Sequence, residues 1–465
     1  MTTHSGKEGI GSGFDLDLGI NGFKYSDLFD AVKLKELADK FYAEVAEKEP
    51  VLGDALNKYI ASHGNGYEKR VESKILTDAA PFLSDFIARL FKITGERAEL
   101  ERTILEQNPV WKYKFFVQRR AIKKYKSLDD LASINEFELE EAVRELRTKA
   151  FDDTLVFDEE LAIATIATQL ADAEEALTKA GDISPEVRAT VKSVTTGYEK
   201  LKDKPFGRLF NAAVIELPET GDLLIVKAAL EIVEKWSAFH FYKKDKRWAA
   251  FKVPHGLDYQ NLVHLIHSEP ALSNLMRGKD EEMRRRVGLK LTDDRGTMRE
   301  ALNEIDYCLI CHEREKDSCS TGLHEKDGSL KRNPLGIKTE GCPLDEKISE
   351  MHLLKKQGDP IGSLALVTID NPMCAGTGHR ICNDCMKGCI FQKQEPVNIP
   401  LVETATLTDV LKLPYGFEIY SLLIRWNPLN AQRPYALPYN GKNVMVVGLG
   451  PAGYTLSQYL LNEGF

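Results

Sequence analysis

Eight cysteines carry the chemistry that can be read from this chain: Cys308, Cys311, Cys319, Cys342, Cys374, Cys382, Cys385 and Cys389. All lie between Cys308 and Pro400, and the rest of the chain has none. Cysteines serving only as small core hydrophobes would be scattered, so the clustering implies that the sulfurs act together. Eight is two sets of four, the number that a tetrahedral zinc or a cubane iron–sulfur cluster takes. The first half reads Cys308-x2-Cys311-x7-Cys319, then Cys342 followed by Pro343. The second reads Cys374-x7-Cys382-x2-Cys385-x3-Cys389. The short spacings around Cys382–Cys389 favour two 4Fe-4S clusters. Zinc sites more often show paired C-x2-C knuckles, and redox disulfides are a third alternative. With eight thiols available, His312, His324, His352 and His379 read as bystanders.

The stretch Thr377-Gly378-His379-Arg380-Ile381-Cys382, with Cys385, Gly388-Cys389 and Glu395-Pro396-Val397-Asn398-Ile399, resembles the second cysteine run of a known module. That module is the N-terminal two-cluster 4Fe-4S domain of the glutamate synthase small subunit and of dihydropyrimidine dehydrogenase. Cys308, Cys311, Cys319 and Gly341-Cys342-Pro343 resemble its first run, although the gap to Cys319 and the interval to Cys342 are longer here. The resemblance implies that all eight cysteines are metal ligands, interleaved between the two runs.

Near the end, Asn443–Val447 is a short apolar run read as a buried parallel strand. Gly448-Leu449-Gly450-Pro451-Ala452-Gly453 follows, then a helical pattern over Tyr454–Asn462. This is G-x-G-x-x-G between strand and helix, the context in which glycines let a pyrophosphate approach a helix N-terminus. Gly448, Gly450, Pro451, Ala452 and Gly453 are the cofactor-binding candidates. The G-P-A-G wording resembles flavoprotein disulfide-reductase-like domains, which implies FAD, with NAD(P)H as electron donor. A second strand and a ribose-binding acid about 20 residues on do not follow before Phe465, so the sequence reads as an N-terminal fragment of a longer enzyme.

The elements positioning these residues read as mainly α. Residues 1–24 are expected to be disordered or extended, 25–300 an α-helical domain, 301–425 the α-helical two-cluster module, 426–442 a linker, and 443–465 the first β-α unit of a Rossmann-type domain. Leu34, Leu37, Phe41 and Val45 recur at helical spacing, as do Phe82, Phe86 and Leu90, with Leu83, Ile87 and Phe91 alongside. Ser127 before Asp129 and Asp130 reads as a helix N-cap. Thr154–Lys179, Pro185–Leu201 and Leu223–Trp236 read as helices. Asp345–Lys356 and Thr408–Leu413 also read as helical, and Ile361–Thr368 as helix or strand. Trp111–Lys126 interleaves basic and aromatic residues, which fits an amphipathic helix better than a docking surface. Glu281, Glu282, Arg284, Arg285 and Arg286 read as a solvated helix, and His255, His264 and His267 as structural.

The 465 residues carry a net charge of −9, with 43% hydrophobic and 29% charged residues. Wholesale nucleic-acid binding is therefore not expected. There is no apolar run near roughly 18 residues for a membrane span, and no signal-peptide pattern. Reduced thiols point to the cytoplasm. No catalytic constellation can be placed. The expected function is an iron–sulfur flavoprotein oxidoreductase, passing electrons from NAD(P)H through FAD and two 4Fe-4S clusters to a partner subunit or domain. The alternative is a zinc-stabilised interaction module attached to a nucleotide-binding domain.

Overall fold

A computed structural model describes residues 15–152, 157–179, 183–280, 283, 286–290, 296–314, 316–378 and 381–465. The protein is mainly helical, as its patterning predicts. The one sheet among the described residues is two-stranded, with Leu265–His267 antiparallel to Met276–Gly278. The chain divides into two compact units: Met1–Leu105 with His255–Phe465, and Glu106–Pro254.

The first unit is discontinuous in sequence. Its helix Ala31–Lys48 starts at Asp30, whose carboxylate accepts from the Val32 and Lys33 amides and satisfies two donors that a helix start leaves open. Leu34, Leu37, Phe41 and Val45 fall on one face and are buried. Gly53 lets the helix Pro50–Ala61 press against Ala46, since a Cβ there would sit 2.4 Å from the Ala46 Cα. In the helix Lys69–Leu90, Leu83, Phe86, Ile87 and Leu90 are buried, and Phe91 caps the end. Phe86 meets Phe41 edge-on at 5.6 Å and stacks on Trp426 at 5.9 Å. Ser84 donates to the Asp359 carboxylate and accepts from the Gly362 amide. These contacts join the N-terminal helices to Pro360–Asp370, in the cysteine-bearing part of the same unit.

That part is a packed set of short helices: Met298–Tyr307, Ile348–Lys356, Pro360–Asp370, Ile399–Leu411 and Gly416–Leu423. Thr297 and Glu300 form a reciprocal capping box at the start of Met298–Tyr307. Ile361–Thr368, open to either reading in sequence, is helical because Asp359 caps it and Pro360 occupies its first turn. Lys355, fully buried, pairs with Asp409 at 2.5 Å.

The second unit is an all-helical bundle around Trp236, Tyr113, Phe206 and Leu170. The segment Asn108–Lys124 runs as a helix through a π turn at Val117–Ala121. Tyr113, Phe116, Val117 and Ala121 are buried, while Lys112, Arg120 and Lys124 pair with Asp172, Glu174, Glu231 and Glu234. The amphipathic reading of Trp111–Lys126 accounts for these partners. Further helices are Glu136–Glu145, Glu159–Thr178, Pro185–Leu201, Pro205–Glu216 and Gly221–Lys243.

Several expectations need correction. Ser127 caps no α-helix: Asp129–Leu131 is a single 3-10 turn, and the next α-helix is capped by Asn135. The stretch after Pro254 leaves helical structure for the short hairpin at Leu265–Gly278. Asn443–Val447 forms no strand, and Val444, Met445 and Val447 are exposed. A strand needs a neighbour to pair its backbone groups, and this run has none among the described residues. The Rossmann β-α unit is therefore not supported, although Pro451–Asn462 is a helix. Residues 1–14, the start of Thr154–Lys179, His379 with Arg380, and Glu281, Glu282, Arg284 and Arg285 lie outside the described residues.

Candidate functional site

The two cysteine runs meet through three glycines. A Cβ on Gly388 would lie 2.4 Å from the Ser318 carbonyl oxygen and 2.9 Å from the Gly341 Cα. One on Gly341 would lie 2.7 Å from the Ser320 oxygen, and one on Gly322 2.6 Å from the oxygens of Thr339 and Glu340. Gly341 and Gly322 also take positive φ, at 83° and 89°, where a side chain is strained. The Cys342 amide donates to the Cys319 carbonyl at 2.8 Å. Close backbone approach thus holds the loop around Cys319, the loop at Cys342 and the turn Asp384–Gly388 together.

The result is a swap between the halves. Cys308 ends the helix Met298–Tyr307, Cys311 opens a 3-10 turn, Cys319 lies in Ser318–Thr321, and Cys389 follows Asp384–Gly388. These four line one cavity of about 20 Å3, with Ile348, Ile390, Phe391, Val397 and Ile399 as its apolar wall. Burial pushes the Cys308 thiol up to about 12 and raises Cys319 and Cys389. The cysteines also act on one another, each disfavouring a thiolate on the next.

Of the remaining four, Cys342, Cys382 and Cys385 act on one another, and Cys374 stands beside Tyr420 and Glu403. Burial is the first cause of the raised value of each, and all four also feel the buried Glu346 carboxylate. Burial raises Glu346 itself to about 7. All eight cysteines are free thiols. Three cysteines of the first run thus share their cavity with the last of the second, a pairing across the runs that spacing alone leaves open.

Three polar side chains at the same cavity have no partner. The Ser318 hydroxyl, the Ser349 hydroxyl and both ring nitrogens of His352 are buried without a hydrogen bond. His352 is fully buried, and burial, with Lys355 nearby, lowers it to about 3, so the ring is neutral. Sequence reasoning set His352 aside. The signal was its position four residues after Ile348, on the face that also carries Met351 and Lys355.

The nucleotide candidates sit elsewhere in the unit. Gly448 takes φ 102°, Gly450 caps the last helix, and Pro451, Ala452 and Gly453 form its first turn. Gly448, Gly450, Pro451 and Ala452 are exposed. A Cβ on Gly453 would lie 2.0 Å from the Gly448 oxygen, so this glycine serves the turn.

Comparison with known proteins places similarity elsewhere than expected. The family described as the RP005 N-terminal alpha-helical domain matches residues 18–92. The chain is 62% identical over 92 residues to uncharacterized protein RP006 of Rickettsia prowazekii (strain Madrid E), covering 20% of this chain and 13% of that protein. It is 27% identical over 293 residues to uncharacterized protein RP005 of the same organism, covering 61% of this chain and 81% of that protein. The chain therefore spans a small part of RP006. No solved structure matches.

These findings overturn the resemblance to the glutamate synthase small subunit and dihydropyrimidine dehydrogenase. The iron–sulfur flavoprotein oxidoreductase built on it falls too, with its electron-transfer route and its Rossmann, flavin and NAD(P) assignments. The matches are to an alpha-helical domain and to uncharacterized proteins. Among the described residues, no group of three or more His, Cys, Asp or Glu stands close enough to hold a metal ion. That also corrects the zinc-stabilised alternative, which needs four donors converging on one ion. No helix among the described residues is long and apolar enough to cross a membrane.

Proposed function

We propose that the first unit is a thiol-bearing helical module whose binding site is the cavity where Cys308, Cys311, Cys319 and Cys389 converge. The observation that carries this is the shared cavity: four thiols from separate segments and three unpartnered polar groups line it. Buried polar groups without partners each cost about 1–3 kcal/mol, so an occupant that offers them partners would recover that cost.

The compartment belongs to the same proposal: reduced thiols suit the cytoplasm. So does a partner subunit or domain that uses the cavity. The cavity, about 20 Å3, is far below the roughly 300 Å3 of a small-molecule site, so its occupant is a single small species.

The test is native mass spectrometry of the full chain purified anaerobically under reducing conditions, set against the mass of the sequence. A bound species that Cys319→Ser and Cys389→Ser each abolish would support the reading. A bound species unaffected by either change, or none at all, would overturn it.

A further inference from the structure

We infer that the helix Pro451–Asn462 is a releasable strap over the segment Asp370–Thr377, and that its release opens the Cys374 thiol to solvent. The face that docks is polar. Tyr454, Gln458 and Asn462 recur every four residues and so share one side of the helix. The Tyr454 hydroxyl donates to the Gly376 carbonyl at 2.5 Å, and the side-chain amides of Gln458 and Asn462 both donate to the Ile424 carbonyl at 2.8 Å. Tyr459 donates to the Asp370 carbonyl at 3.2 Å. No residue of the helix is buried, and Leu456 and Leu461 are exposed. A helix that stays down buries an apolar stripe. This one rests on hydrogen bonds that water can replace at little net cost, and its 12 residues alone make a marginal helix in water.

The two ends are tied unequally. At one end, the Arg433 guanidinium donates to both oxygens of the Glu463 carboxylate at 2.6 and 2.7 Å. The Leu437 amide donates to the Asn462 carbonyl at 2.9 Å and the Asn440 amide to the Gly464 carbonyl at 2.7 Å. At the other end, Val444, Met445, Val447 and Leu449 are exposed, and a Cβ on Gly448 or Gly450 would meet nothing within 4 Å. The helix can therefore swing about Glu463 and Gly464 while the segment before it gives way. Gly376 marks the seat. A Cβ there would lie 2.9 Å from the Tyr454 Oη and 3.0 Å from its Cζ. Gly376 does not take a positive φ, so the tyrosine ring and not the backbone calls for glycine. From the core side, the Tyr420 hydroxyl donates to the Pro372 carbonyl and accepts from the Ala375 amide. The turn that carries Cys374, 5% exposed, is thus held between Tyr420 beneath and Tyr454 above.

The assay is maleimide labelling of the full, reduced chain at fixed pH, read by mass spectrometry at each cysteine, with amide hydrogen exchange of the wild type alongside. Tyr454→Phe removes one hydrogen bond and is expected to speed labelling of Cys374 roughly fivefold, and Tyr454→Phe/Gln458→Ala roughly 25-fold. Cys319 should keep its wild-type rate in both. In the wild type, the amides of Pro451–Asn462 should exchange together and well ahead of those of Ile399–Leu411. Cys374 labelling that neither variant changes, or Cys319 labelling that rises in step with it, overturns the inference. So does a wild-type helix whose amides exchange only along with those of Ile399–Leu411, a result that decides the matter even where the variants fail to fold.

Discussion

Gly388→Ala tests whether close backbone approach is what brings the cysteine runs together. The added methyl would sit 2.4 Å from the Ser318 oxygen, 2.9 Å from the Gly341 Cα and 3.3 Å from the Gly341 nitrogen. All three are backbone atoms, so no side chain can rotate out of the way. Ordinary contact begins about 1 Å further out. Overpacking of this kind costs about 1–3 kcal/mol. The Ser318 carbonyl also accepts from the Gly322 amide at 2.8 Å, and displacing it forfeits a further ~1 kcal/mol. The sum, about 3 kcal/mol, sits where Ser318 and Cys319 line the thiol cavity. Cys319 and Cys389 are 8% and 6% exposed, so a maleimide reaches them only through local opening. A loss of about 3 kcal/mol raises that opening roughly a hundredfold. The assay is labelling of the purified, reduced chain, followed by mass spectrometry at each cysteine. Gly95→Ala is the control: it lies in the helix Thr94–Leu105 with nothing within 4 Å of a new Cβ, and is expected to be neutral or stabilising. If Gly388→Ala labels at the wild-type rate, the interlock does not hold the site and the reasoning fails.

Other expectations follow from buried groups of the same unit. Lys355→Met leaves Asp409, 2% exposed, without its partner. A loss of about 3–5 kcal/mol is expected in urea unfolding, with Lys355→Met/Asp409→Leu recovering most of it; an additive double variant would refute the pairing. Trp426→Ala removes a fully buried ring stacked on Phe86 and should cost about 3–5 kcal/mol, which thermal unfolding would show. Asp370 has its folded-state value raised by burial to about 6, opposed by Lys347 at 3.1 Å. A raised value favours the protonated form in the fold. Its contribution is therefore fully present below about pH 4 and lost as pH rises through about 6, near 3 kcal/mol in all. Stability measured across that window should fall in wild type and fall less steeply in Asp370→Asn, since the raised Glu346 titrates there too; parallel curves would refute the assignment.

Helix positions were largely legible because burial follows the 3.6-residue period: Leu34, Leu37, Phe41 and Val45, or Leu83, Phe86 and Leu90, are where the pattern puts them. Cysteine density marked the region that carries the site. The partition of the eight was not legible from spacing, because Cys389 reaches Cys319 through Gly388 and Gly341, and short glycine contacts leave no periodic trace. The β-branched run Asn443–Val447 misled for a different reason. Strand propensity is realised only with a neighbour to pair with, and none is present among the described residues. His352 was passed over because its residue type was judged without its register. Read against Ile348, Met351 and Lys355, it belongs to the buried face.

Native mass measurement of the full chain purified anaerobically, paired with thiol titration of the same sample before and after unfolding, tests the central claim most directly. The account predicts a bound species at the cavity, with Cys308, Cys311, Cys319 and Cys389 protected until unfolding releases it. A chain at the mass of its sequence, whose four cavity thiols titrate in the fold as fast as the exposed Cys382, would contradict it.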